Sequence, residues 1–143
     1  MAFILIVGGD EGASQRAADA LSSADHACAW VGDASAARTL LRWRSPDLIL
    51  FDDDTRGMSV EGLLDALDPA SDLPVITLST TTGAGPGSSK IVHGVQDCIR
   101  KPFDPRFLVW RVNHALEAKA VRSQAGERTA GRAMGGDRRF SIA

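Results

Sequence analysis

Short apolar runs alternating with amphipathic segments predict an α/β protein, a doubly wound five-stranded parallel sheet built as (βα)5. Three observations carry this. The runs are continuous and rich in Val, Ile and Leu, as strands covered on both faces must be. Alanines and leucines recur at helical spacing between them. Capping and breaking residues (Asp33, Pro46, Asp104-Pro105) stand at the junctions.

Phe3–Val7 is the first strand, and Ala13, Ala17, Ala20, Leu21 and Ala24 mark a helix over 12–24. His26–Val31 is a weaker second strand. Asp33 suits an N-cap for a helix presenting Ala36, Leu40, Leu41 and Trp43, which Pro46 stops. Residues 47–52 form the third strand. Val60, Leu63, Leu64 and Leu67 form an i, i+3, i+4, i+7 stripe, hence a third helix. Residues 74–79 make the fourth strand and Cys98–Arg100 a short fifth. Between these two, Gly83, Gly85, Pro86 and Gly87 oppose helix by about 1 kcal/mol per glycine and about 3 for proline, which confines any helix to about 88–93. The last helix starts at Asp104-Pro105, carries Phe107, Leu108, Val112, Ala115 and Leu116, and is expected to fray after Lys119.

The length suits one domain over 1–119, followed by a flexible Gly/Ala/Arg-rich tail or linker over 120–143. The net charge of −2 divides into −5 for the body and +3 for the tail. An acidic body argues against a nucleic-acid surface on the folded part. No apolar run approaches the roughly 18–20 residues of a membrane span, and the opening residues lack a signal peptide's basic region. Cys28 and Cys98 lie 70 positions apart without metal-ligand spacing. They are expected to be reduced core thiols in a cytoplasmic protein.

Doubly wound sheets place their sites beyond the C-terminal ends of the strands. The residues there are Gly8-Gly9-Asp10-Glu11, Asp52-Asp53-Asp54, Ser79-Thr80 and Lys101. A carboxylate, a hydroxyl and an ammonium therefore meet at one edge, with Pro102 restricting the backbone at Lys101. Such a trio can accept a group on the carboxylate while cation and hydroxyl stabilise developing charge. It can equally be a salt bridge tying the third strand to the fifth.

Three segments resemble the receiver domain of two-component response regulators. Pro46-Asp-Leu-Ile-Leu-Phe-Asp52 is similar to the family's phosphoacceptor strand, and Pro74-Val-Ile-Thr-Leu-Ser79 to the strand bearing its hydroxyl. Ile99-Arg-Lys-Pro-Phe103 is similar to its Lys-Pro-Phe motif, and the 22 positions from Ser79 to Lys101 fit its spacing. The resemblance covers roughly residues 2–119. It implies a flavodoxin-like sheet of order 2-1-3-4-5, Asp52 as phosphoacceptor, and Ser79 and Lys101 as its catalytic companions. It also implies a signalling protein as partner, a histidine kinase or another regulator, with no enzyme activity beyond self-phosphorylation and dephosphorylation. Pairing into a homodimer would use the helix of 88–93, the fifth strand and the last helix, where Trp110 is a candidate anchor.

The chain departs from the family where the metal is held. The acidic pair that follows the first strand is replaced by Gly8 and Gly9. Mg²⁺ leans on carboxylate oxygens in octahedral geometry, so only Asp52 and the Asp54 carbonyl remain of the usual ligands, with Asp10, Glu11, Asp53 or the Asp54 side chain as candidate substitutes. Strand alternation turns Asp53 away from Asp52. Arg56 replaces a usual proline, Ser59 and Val60 an Asp-Gly pair, and Cys98 the aromatic switch residue. The expectation is an atypical receiver, a pseudo-receiver with weak or absent Mg²⁺ binding and no cofactor, signalling by protein or ligand binding without phosphorylation. The alternative is a working phosphoacceptor fed by a histidine kinase. Asp restored at 8 and 9 is expected to create Mg²⁺ binding.

Two glycine-rich stretches imitate nucleotide motifs without meeting them. A G-x-G-x-x-G from Gly8 would need glycine at Asp10 and Ala13, and Lys90 follows two serines where a P-loop needs Gly-Lys-Ser/Thr. His26, His93 and His114 lack spaced metal partners.

Overall fold

The computed structural model describes residues 1–55, 57, 59–67, 72–80 and 95–134, the last twelve of these as backbone only. β1 (Phe3–Val7), β2 (Ala27–Val31), β3 (Leu48–Asp52), β4 (Val75–Ser79) and β5 (Asp97–Arg100) form one parallel sheet of order β2-β1-β3-β4-β5. The register places Ile4 beside Cys28 and Leu48, and Asp52 beside Leu78. Both the sheet and its order agree with the expectation from sequence.

Alternation along the strands divides the interior into two cores. Ile4, Ile6, Leu48, Leu50, Ile76, Leu78 and Ile99 pack against Ala17 and Leu21 of α1 (Glu11–Ser23) and Leu108, Val112 and Ala115 of α4 (Pro105–Met134). Leu5, Val7, Ile49, Phe51 and Val75 pack against Ala34 and Ala37 of α2 (Ala34–Trp43) and Val60 and Leu63 of α3 (Val60–Ala66). Helices thus cover both faces, as the continuous apolar strands require.

Each helix entrance is capped. Asp10, Asp33 and Ser59 accept hydrogen bonds from the backbone N–H groups of Ala13, Ala36 and Gly62 at 3.1, 2.9 and 3.1 Å. Such caps stabilise by about 1 kcal/mol each. Asp10 therefore begins α1 at Glu11, one residue before the expected start.

Other departures have clear causes. Trp43 is exposed, because α2 buries Ala34 and Ala37 and its last residue faces solvent. Phe107 is likewise exposed beside Trp110, and Cys98 lies on the open side of edge strand β5 instead of in the core. Cys28 is half-buried against the α1/α4 core, and burial raises its thiol pKa. The last helix continues to Met134, fifteen residues past its expected end at Lys119. Ala, Arg, Glu and Gln predominate in that stretch and favour helix despite Gly126 and Gly131. The expected helix near 88–93, the loop of 82–89 and Arg56 lie outside the described residues. No helix among the described residues is long and apolar enough to cross a membrane.

Candidate functional site at the strand C-termini

The site begins with Asp52, the last residue of β3. Its side chain is 1% exposed, so its charge needs a partner. The partner is Lys101, which β5 delivers from the far side of β4 and whose bond to Pro102 is cis. Lys101 Nζ lies 2.9 and 2.8 Å from the two Asp52 oxygens. It also lies 3.2 Å from Asp10 Oδ2 and 3.0 Å from Asp54 Oδ2. An ammonium has three N–H donors, so these four contacts require one to be shared.

The anchoring bonds are local. Asp52 Oδ1 accepts the Asp54 backbone N–H at 2.8 Å, which folds the β3–α3 loop back and turns the Asp54 carboxylate inward. Asp10 holds Ala13 with one oxygen and Lys101 with the other. Thr55, buried and not singled out from sequence, donates to the Asp52 and Val7 carbonyls at 2.6 and 3.2 Å. It ties the ends of β1 and β3 together. Asp53 stays out of the carboxylate cluster and accepts a hydrogen bond from Ser79, the buried hydroxyl of β4.

Position 8 is crowded. A Cβ on Gly8 would lie 2.9 Å from Asp52 Cβ and 3.0 Å from Ser14 Oγ. Gly8 therefore permits the close approach of β1 to Asp52, and side chains have no room there without backbone movement. A Cβ on Gly9 would sit 3.3 Å from the Asp54 carbonyl, a tight but adjustable contact. The Gly8 carbonyl accepts the indole N–H of Trp30 at 2.9 Å, placing a half-exposed tryptophan at the rim. Ser14 could have been noticed in the sequence, because it is a polar residue on the buried Ala13–Ala17–Leu21 stripe of α1.

The charges act on each other. The Ala13 backbone N–H, then Lys101, hold the Asp10 carboxyl below its ordinary value. Burial lowers the Lys101 pKa, but hydrogen bonds to Asp52, Asp54 and Asp10 outweigh it and keep the ammonium well above the usual lysine range. Asp53 is raised, first by desolvation and then by the Asp52 and Asp54 charges, against the lowering effect of Ser79.

These directions set the pH response. A depressed acid stabilises the fold above its unfolded value of 3.8, and that contribution disappears as pH falls through the lower folded value. Asp10 and the α4 cap Asp104 both behave so, the latter lowered by the Arg106 backbone N–H. Raised Asp53 offsets part of the loss. The raised Lys101 contributes fully below its unfolded value of 10.5 and is lost only above it. Thermal unfolding followed across pH should show Tm falling below about pH 4 and holding level through pH 9. A Tm independent of pH between 2 and 5 would contradict this electrostatic picture.

The parallel sheet, its order and the Asp52–Lys101 pair across β3, β4 and β5 describe an architecture also found among known proteins. No protein-family model matches the chain. It is 31% identical over 113 residues to the DNA-binding response regulator MtrA of Mycolicibacterium smegmatis, covering 79% of this chain and 50% of that protein. It is 34% identical over 119 residues to the phosphate regulon transcriptional regulatory protein PhoB of Pseudomonas aeruginosa, covering 79% and 51%. The crystal structure of the receiver domain of NtrX from Brucella abortus matches with a TM-score of 0.71 at 29% identity, covering 80% of this chain and 98% of that domain. The chain is a response-regulator receiver domain. It spans about half the length of the curated relatives it matches.

The receiver family implies Mg²⁺ at this edge. Asp10, Asp52 and Asp54 bring carboxylate oxygens within 4.8 Å of one another, an oxygen-only set that suits a hard cation. Gly8 and Gly9 contribute no side-chain ligand, and Lys101 holds oxygens of all three carboxylates. The donor chemistry fits the ion only if the ammonium gives up its place. If bound, the ion would neutralise charge on a transferring phosphoryl group. Lys101 supplies a fixed positive charge there without it.

Of the other residues anticipated from sequence, Cys98, the candidate switch position, is exposed on β5. Trp110 is 59% exposed on α4, between Phe107 and His114, with the Arg111 guanidinium over the Phe107 and Trp110 rings. Arg111 in turn pairs with Asp97 of β5, which fixes this aromatic face to the sheet edge.

Proposed function

We propose that this receiver signals by binding a protein or ligand, without Mg²⁺-dependent phosphorylation of Asp52. One observation carries the reading: both oxygens of Asp52 are engaged by Lys101, while the two positions expected to supply the metal's acidic pair are glycines. Phosphoryl transfer depends on a cation to offset charge as it moves onto the acceptor. Here the available cation is tied to the acceptor itself. Ser79 and Lys101 then act as structural companions of Asp52, and the module is not an enzyme.

The partner in this reading is a signalling protein, a histidine kinase or another regulator. Trp110 and the flanking Phe107 on α4, together with β5, form the face offered for it or for a second copy. The free thiols Cys28 and Cys98 suit a cytoplasmic setting. Residues 120–143 serve as a tether beyond the domain of 1–119. The second reading, a phosphoacceptor charged at Asp52 by a histidine kinase, draws support from the convergence of Asp10 and Asp54 on the site.

Acetyl phosphate with excess MgCl₂ separates the two. Intact-mass analysis is expected to show no phosphoryl adduct on the wild type. Stoichiometric labelling that disappears in Asp52→Asn would establish the phosphoacceptor instead.

A further inference from the structure

Below the N-terminal ends of β3 and β4, at the edge opposite Asp52, lies a cavity of about 290 Å³. Leu41, Pro46, Ala66, Leu67 and Leu73 form its apolar wall. Leu41, Leu67 and Leu73 are only partly buried against the α2/α3 core, and the surface they leave over lines the cavity. Its polar side holds Ser45, Asp72 and Lys119. Lys119 belongs to α4, which packs on the other face of the sheet, so its side chain passes beneath the sheet edge to reach this space. The ammonium has one contact there, to the Asp47 carbonyl at 3.5 Å, longer than an ordinary hydrogen bond. Asp72, the acid at the rim, is paired instead with Arg122 at 3.3 Å. Asp47 and Glu117 line a neighbouring cleft that shares Lys119. Among the described residues no carboxylate forms an ion pair with Lys119.

We infer that this cavity binds a short aliphatic carboxylate, with the carboxylate on the Lys119 ammonium and the chain among Leu41, Leu67 and Leu73. The volume stands at the low end of small-molecule sites, which run ~300–1,000 Å³, so it is too small for a dinucleotide and suits a short chain. An apolar wall beside one unpaired cation is the lining such a ligand needs. The chain leaves water, and the charged head keeps a charge-assisted hydrogen bond. The Ser45 hydroxyl is a second donor on the same side. A neutral chain gains nothing from Lys119, and an aliphatic amine meets a like charge. The bound molecule would join α4 to the α2/α3 layer across the sheet edge. This site lies apart from Asp52 and does not depend on whether Asp52 accepts a phosphoryl group.

The test is titration of the full chain with sodium octanoate, followed by NMR of the leucine methyl groups. Saturable shifts are expected at Leu41, Leu67 and Leu73, with half-saturation below about 1 mM. Octanol and octylammonium should each bind about tenfold or more weakly than octanoate, since neither forms the charged pair. Lys119→Gln should weaken octanoate by about tenfold or more and leave octanol unchanged, whereas Lys119→Arg should stay within about threefold of wild type. Circular dichroism checks that both variants fold, and the comparison of octanoate with octanol on the wild type decides the matter without them. Equal affinity for octanoate and octanol overturns the proposal. So does octanoate binding that Lys119→Gln leaves intact, or shifts centred on the Asp52 edge or the Trp110 face. Phosphoryl labelling of Asp52 would remove the functional reading above and leave this result untouched.

Discussion

Replacing Lys101 with methionine is expected to destabilise the metal-free domain by about 3–5 kcal/mol, the usual cost of stranding a buried charge. Asp52 is buried and loses the partner of both its oxygens, while Asp10 and Asp54 are left facing it without a cation between them. The methionine can fill much of the volume, so the loss is electrostatic. A domain of this size should then melt roughly 10–20 °C lower. Calorimetry in EDTA measures the effect. Lys101→Met combined with Asp52→Asn should recover much of the loss, because a neutral amide no longer needs the ammonium and still accepts the Asp54 N–H. Equal destabilisation in the single and double variants would mean that Lys101 acts through packing.

The second large effect is expected at Gly8. Gly8→Ala places a methyl carbon 2.9 Å from Asp52 Cβ, a separation that no side-chain rotation relieves. Overpacking of this kind costs about 1–3 kcal/mol. Aspartate there should cost more, adding a fourth carboxylate to a cluster already in excess. The sequence alone suggests that Asp at both 8 and 9 would create a metal site. The structure divides that expectation: Gly9→Asp needs only a few tenths of an ångström from the Asp54 carbonyl, whereas Gly8→Asp displaces Asp52 itself. Gly9→Asp should therefore strengthen Mg²⁺ binding with little loss of stability, and Gly8→Asp should weaken the fold without improving binding. Urea unfolding and Mg²⁺ titration of the two single variants decide this. Wild-type stability in Gly8→Asp would show that β1 can move away from Asp52.

The strands were readable because their cause is local. A run such as Phe3–Val7 can only be buried on both faces, and Asp33 and Asp104 announce helix starts by residue type. Exposure was less readable. Trp43 and Phe107 fit apolar stripes by spacing, but the small residues Ala34 and Ala37, and Leu108 with Val112, take the positions facing the sheet. The last helix runs past its expected end for a related reason. The composition of 120–134 resembles a linker, yet most of its residues have good helix propensity and continue a helix already nucleated and docked.

The sequence by itself determined the sheet, its alternating helices and the placement of Asp52, Ser79 and Lys101 at strand ends, because period and turn chemistry act over a few neighbours. Only the tertiary structure decided what those residues do to one another. Lys101 reaches carboxylates 47, 49 and 91 positions away, brought together by strand order and by loops that Asp54, Thr55 and Asp10 pin in place. The same assembly crowds Gly8 against Asp52 and leaves the Ser14 hydroxyl without a partner among the described residues. Missing acids at 8 and 9 were visible in the sequence. That a lysine stands among the acids which remain follows from Coulomb attraction across a closed sheet edge, which the order of residues along the chain does not display.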